Sequence, residues 1–270
     1  QQSSDILGYD VLKKQENPDL LNLTEYSQPA IFIYTSILID FVRDKIKSSG
    51  YNITLAGHSL GEYAALYFAS SLIFEEMLRV VKFRGEAMSI VSDPTKYMMY
   101  AILKKDDQIL DNSIFGNGVY LANLNSDKQV VICGLRNKLE NFKEKYSLGK
   151  YIPLNVSAPF HSELMIESSN VFKNKISDIV FNDVDIDVIS NHKLINYKNI
   201  SKTEYSNQLK VQIHSPVMWS ETIKKIISMK VDNFIEIGPK KTLLNFIPRD
   251  FAGEKVAITN HEEVENYVWK

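Results

Sequence analysis

The run Gly57-His58-Ser59-Leu60-Gly61 lies between a short apolar stretch, 53–56, and a segment with helical spacing, 61–73. A G-x-S-x-G run between a strand pattern and a helix pattern implies a tight strand-to-helix turn that pushes the serine hydroxyl out beyond the sheet. Its glycines permit the close backbone approach such a turn needs. The next backbone N–H, on Leu60, falls at the N-terminus of the helix, where an oxyanion would be stabilised. The plainer explanation is a serine N-cap after a glycine turn. With a strand before it and a helix after it, Ser59 reads better as a nucleophile.

The surrounding pattern agrees with an α/β chain. Spacing predicts helices over 29–49, 74–91, 162–179, 205–211 and 219–229, and strands over 53–56, 184–190 and 233–237, alternating as in a parallel α/β sheet. Residues 12–23 read as polar and irregular. Asp93-Pro94 breaks the pattern. After it come strands at 98–103, 119–123, 129–133 and 151–155, with helices at 106–112 and 136–146. That β-α-β-β-α-β order is ferredoxin-like. The expected division is therefore a larger α/β part, 1–96 and 156–270, and an inserted α+β subdomain, 97–155.

The 270 residues suit one large domain, or a large one with a smaller companion. Thirty-one basic against 33 acidic residues give a net charge of −2, which excludes a globally basic nucleic-acid binder. The single cysteine, Cys133, excludes an internal disulfide framework and a multi-cysteine zinc site, and reads as a small buried hydrophobe. No stretch approaches the roughly 18 apolar residues of a membrane span, and no secretory signal opens the chain. A compact cytoplasmic protein is expected.

A serine hydroxyl needs a base. Of the five histidines, His58 adjoins the serine and suits packing, His192 and His214 lie in short polar connections, and His261 lies in an acidic stretch. His161 ends an apolar loop that leaves one strand and enters a helix, where a catalytic loop would be.

The runs GHSLGEYAAL (57–66), FRGEAM (83–88), NVSAPFHSELM (155–165), QIHSPVMW (212–219) and IEIGPKKTL (235–243) together resemble malonyl-CoA:acyl-carrier-protein transacylases, the acyltransferases of fatty-acid and polyketide synthesis. ILGYDV near the start, SQPA (27–30) and ANLNSDKQVVICG (122–134) match as well, in the family's order along the whole chain. The resemblance implies a hydrolase-like parallel-sheet core with an inserted ferredoxin-like subdomain. It implies Ser59 as nucleophile, His161 as general base and Leu60 as an oxyanion-hole donor. Arg84 would clamp the malonyl carboxylate, since a buried carboxylate needs a planar, permanently charged, bidentate partner. Gln28 would line the same pocket, and Gln212 would bond near His161, which the family orients mainly through backbone carbonyls. Asn123 would approach from the small subdomain. Phe160 would wall the malonyl C2 carbon: in the polyketide branch a bulky aromatic there goes with malonyl and a small residue with methylmalonyl.

The implied activity is ping-pong transfer of malonyl from coenzyme A to the phosphopantetheine thiol of an acyl carrier protein, by a monomer with no bound cofactor or metal and no nucleic-acid or membrane partner. The family's opening strand and G-Q-G-S-Q loop, which supplies a second oxyanion donor, has no counterpart in these residues. The working protein is expected to possess such a segment. Rival readings are an acyl hydrolase of the same fold that clears carrier proteins, a serine esterase, and a docking domain with a dead site. Pathway and cognate carrier are not legible in the sequence.

Overall fold

The computed structural model describes residues 1–105 and 112–269. Three short helices come first: α1 (Gln2–Leu7), α2 (Val11–Gln15) and α3 (Pro18–Leu21). The last two correct the reading of 12–23 as irregular. They are started by caps rather than by apolar periodicity: the Asp10 carboxylate accepts from the Leu12 and Lys13 N–H groups, and the Asn17 side chain from Asp19 with proline at the first turn.

Helix α4 (Thr24–Ser48) begins one turn earlier than its periodicity suggested and carries Pro29 inside it. Its buried face runs through Phe32, Thr35, Leu38, Ile39, Val42 and Ile46, while Ile31 and Tyr34, which share a helical stripe with Thr35, Leu38 and Val42 in the sequence, are exposed. Strand β1 (Thr54–Ala56) feeds α5 (Gly61–Phe68), and α6 (Phe74–Ser89) follows. Helices α4 and α6 approach closely at Gly85, where a Cβ would stand 3.0 Å from the Glu25 Cα. That contact sets Gln28 on α4 beside Arg84 on α6.

Strands β2 (Tyr97–Lys104), β3 (Val119–Ser126), β4 (Gln129–Leu135) and β5 (Gly149–Pro153), with α7 (Arg136–Lys145) between the last two, form an antiparallel sheet in the order β3-β4-β2-β5. Of the helix expected over 106–112, residues 106–111 lie outside the described residues, and Asn112–Ile114 form one 3-10 turn. One face of the sheet packs Ile102, Val130 and Ile132 on Leu139 and Phe142 of α7. The other packs Met99, Val131 and Cys133 toward Phe160. Cys133 is fully buried, and burial pushes its thiol up to about 12.

The chain continues through α8 (Ile166–Lys175), β6 (Asp187–Ile189), α9 (Tyr205–Ile213), α10 (Trp219–Ser228), β7 (Asn233–Ile237), β8 (Glu254–Ile258) and α11 (His261–Asn266). The fold is mixed α/β with parallel pairing: β1 lies parallel to β6, and β7 to β8. Instead of one continuous sheet these make two separate pairs among the described residues, and residues of β1 and β7 line a common cavity of about 1140 Å³. Strand β8 gave little signal, because Glu254-Lys255 leaves only a three-residue apolar run. At a bulge in β3, the Val217 N–H donates to the Ala122 carbonyl and the Leu124 N–H to Val217, both at 2.9 Å, tying the antiparallel sheet to the loop before α10. Among the described residues no helix is long and apolar enough to cross a membrane.

At Gly57 any Cβ would lie 2.0 Å from the Gly61 carbonyl group. Gly57→Ala is therefore expected to lower stability by about 3 kcal/mol, read as a fall in the urea midpoint; an unchanged midpoint would show that the turn can open at no cost.

Candidate active site

Ser59 sits at the end of β1 in the left-handed backbone region, with φ of 52°. A non-glycine residue there costs about 1–2 kcal/mol, so the surroundings must hold it. The Gly61 N–H donates to the His58 carbonyl at 2.9 Å and the Glu62 N–H to Ser59 at 3.1 Å. The Asn191 side chain closes the turn from outside: its Oδ1 accepts the Ser59 N–H and its Nδ2 donates to the Gly57 carbonyl, both at 2.5 Å. Leu60 takes the N-cap position of α5 and lines the cavity.

His161 arrives from the loop after β5, itself in the left-handed region with φ of 62°. Its Nε2 lies 2.7 Å from Ser59 Oγ. Its Nδ1–H donates to the Gln212 backbone carbonyl at 3.0 Å. That bond fixes the tautomer that leaves the Nε2 lone pair facing the hydroxyl. Burial, then the nearby Arg84 cation, push the His161 pKa down to about 3, so the ring stays neutral and able to take a proton.

Arg84 is 1% exposed. One guanidinium nitrogen donates to Gln28 Oε1 at 2.5 Å; the other donates to Gln212 Oε1 and to Ser59 Oγ, each at 3.0 Å. The Tyr63 ring lies 5.1 Å from the guanidinium carbon, and Nε has no hydrogen-bond partner. Among the described residues no carboxylate reaches Arg84 within ion-pair distance. Gln28 in turn donates to Thr24 Oγ1 at 2.6 Å. Phe160 and Asn123 line the cavity beside the serine and histidine.

The residues singled out in the sequence thus converge around Ser59 and its cavity. Three the sequence reading passed over also hold it: Glu62, Asn191 and Tyr197. Glu62 lay inside the quoted GHSLGEY run. Asn191 lies two residues past the end of β6, and its complete burial is visible only in three dimensions. His58 packs as expected, with Nε2 2.8 Å from Asn125 Oδ1 and its ring against Trp219.

A serine hydroxyl hydrogen-bonded to a histidine beside a buried guanidinium, on a mixed α/β scaffold, is an arrangement that can support acyl-group chemistry through an acyl-serine. Residues 2–263 match the acyl transferase domain model, and the chain belongs to that family. It is 35% identical over 255 residues to the malonyl CoA-acyl carrier protein transacylase of Synechocystis, covering 92% of this chain and 83% of that one. It is 31% identical to the polyketide biosynthesis malonyl CoA-acyl carrier protein transacylase PksC of Bacillus subtilis, covering 92% and 86%. A solved complex of a type II polyketide synthase acyl carrier protein with its malonyl-transacylase superposes with a TM-score of 0.86 at 27% identity, covering 98% of this chain and 87% of that one.

With the folded pKa at about 3, below the ordinary 6.5, the base form survives as pH falls. Labelling of Ser59 by phenylmethanesulfonyl fluoride should change by only about twofold between pH 8 and pH 5; a decline centred near 6.5 would contradict the buried, neutral histidine. The same shift costs stability as pH drops below 6.5, because the unfolded chain then binds a proton that the folded chain refuses.

Proposed function

We propose that the chain moves a malonyl group from coenzyme A to the phosphopantetheine thiol of an acyl carrier protein. The observation that carries this reading is the Arg84 guanidinium, buried 3.0 Å from Ser59 Oγ, whose direct hydrogen-bond acceptors are all neutral. A buried guanidinium is costly without an anion, and a malonyl carboxylate is an anion of matching planar geometry.

In the first half-reaction Ser59 Oγ attacks the thioester carbonyl and its proton passes to His161 Nε2. The oxyanion rests on the Leu60 N–H, the C–S bond breaks, and the coenzyme A sulfur leaves with the proton from His161. In the second, the pantetheine thiol gives its proton to His161 and attacks the malonyl ester. The C–O bond breaks and Ser59 recovers its proton. General-base help of this kind is worth about 10²–10⁴-fold. Gln28 and Gln212 hold Arg84 toward the carboxylate, Phe160 walls the C2 carbon, and Asn123 borders the pocket from the antiparallel sheet. No bound cofactor or metal enters these steps. A hydrolase of monocarboxylic acyl groups would leave Arg84 without an ionic partner, so that alternative is disfavoured.

The same reading divides the chain into a hydrolase-like part, 1–96 and 156–270, and a ferredoxin-like insert, 97–155, supported by the separate antiparallel sheet and its strand order. It takes the protein as a cytoplasmic monomer.

Intact mass after mixing with malonyl-CoA should show a malonyl adduct, lost in Ser59→Ala. Arg84→Ala should load malonyl roughly 10²-fold more slowly, as hydrogen bonds to a charged group contribute about 1.5–3 kcal/mol each, and let acetyl-CoA compete. An adduct on Ser59→Ala would sink the nucleophile assignment. Phe160→Ser should relax discrimination against methylmalonyl-CoA, where one methyl is worth about 1–3 kcal/mol. An unchanged ratio of specificity constants in direct competition would defeat that steric role.

A further inference from the structure

Glu62, three residues beyond Ser59 in the first turn of α5, is the only buried carboxylate among the described residues, at 1% exposure. The reaction steps above leave it idle. Its Oε1 accepts the Tyr197 hydroxyl, and its Oε2 accepts the Asn191 backbone N–H at 3.0 Å and Gln212 Nε2 at 2.9 Å. Gln212 Nε2 also donates to the Ser59 carbonyl at 2.9 Å. Both groups facing that end of the amide are acceptors, so the end must be NH2 and Gln212 Oε1 must face Arg84. The Gln212 backbone carbonyl meanwhile holds His161 Nδ1. Asn191, whose N–H Glu62 anchors, clamps the Ser59 turn with its side chain.

We propose that Glu62 is a positioning residue: by fixing the Gln212 amide and the Asn191 backbone it keeps Arg84, His161 and the Ser59 turn in mutual register. The part concerning acyl choice rests on the reading of Arg84 given above; the part concerning Ser59 does not. Burial raises the Glu62 carboxyl from its ordinary range, while its three donors and Arg84 pull it back. In either protonation state Oε2 remains an acceptor, so the amide orientation holds.

A purely structural role would lower all reactions together. The test therefore compares wild type, Glu62→Ala, Glu62→Gln and Gln212→Met by two rates, with a melting temperature for each. One is labelling of Ser59 by phenylmethanesulfonyl fluoride. The other is acyl-enzyme formation from malonyl-CoA against acetyl-CoA. Displacements of an ångström at a reactive site can cost about 10²-fold. Glu62→Ala should slow sulfonylation and malonyl loading by roughly that factor, and should lower the malonyl-to-acetyl ratio about tenfold. Glu62→Gln, whose carbonyl can serve Asn191 and Gln212 while its NH2 meets the Tyr197 hydroxyl, should recover most of both. Gln212→Met should reproduce the fall in ratio. A folded Glu62→Ala with the wild-type ratio overturns the proposal. If Glu62→Ala does not fold, Gln212→Met with the wild-type ratio does so instead. If wild type is sulfonylated but takes no malonyl, the substrate reading falls separately. Sulfonylation of Glu62→Ala, or of Gln212→Met should Glu62→Ala not fold, at the wild-type rate then overturns the role of Glu62.

Discussion

A guanidinium at 1% exposure donates to Gln28, Gln212 and Ser59 with no carboxylate on it, and the other parts of the site are arranged around that cation. Placing it there carries a desolvation penalty of several kcal/mol. Neutral amide oxygens and the Tyr63 ring offset part of the penalty. The same charge, added to burial, keeps His161 unprotonated. One buried cation thus bears on the histidine, the hydroxyl and the cavity at once. The close approach of α4 and α6 at Gly85 brings Gln28 to it, and α9 brings Gln212.

The serine and histidine both occupy left-handed backbone. Such conformations persist only where the surroundings over-determine them. Here the restraint is polar. Asn191 continues the β1–β6 pairing past its last backbone partners, Ala56 and Ile189, using its side chain. The His161 loop is backed by the second face of the antiparallel sheet through Phe160. That sheet is tied to the loop before α10 by the bonds at Val217. His161 is therefore held by packing behind it and by the Gln212 carbonyl, although the turn carrying it has no regular structure.

Ser59, Leu60 and His161 were legible from local chemistry, whereas Arg84, Gln28, Gln212, Asn123 and Phe160 were singled out only through the family resemblance. Gly57 to Gly61 implied the turn, and His161 stood at the end of an apolar loop. Less legible was whatever depends on contacts between distant segments. Asn191 looks like a polar residue in a connection, yet it is fully buried against a turn more than a hundred residues away. The α2 and α3 helices begin at side-chain caps, which periodicity does not register. Ile31 and Tyr34 fit a helical stripe, but packing against α6 turned the adjacent face inward. The two separate parallel pairs could not be read from alternation, which orders elements without saying which edges meet.

In the proposed reaction Arg84 holds the free carboxylate of an acyl group carried on Ser59. A crystal structure of the malonyl-loaded protein tests it most directly. Ester density is expected on Ser59 Oγ, with a carboxylate paired to both terminal nitrogens of Arg84 and Gln28 or Gln212 displaced from at least one of them. A malonyl ester whose carboxylate points into the open cavity, with Arg84 still bonded to both glutamines, would contradict it.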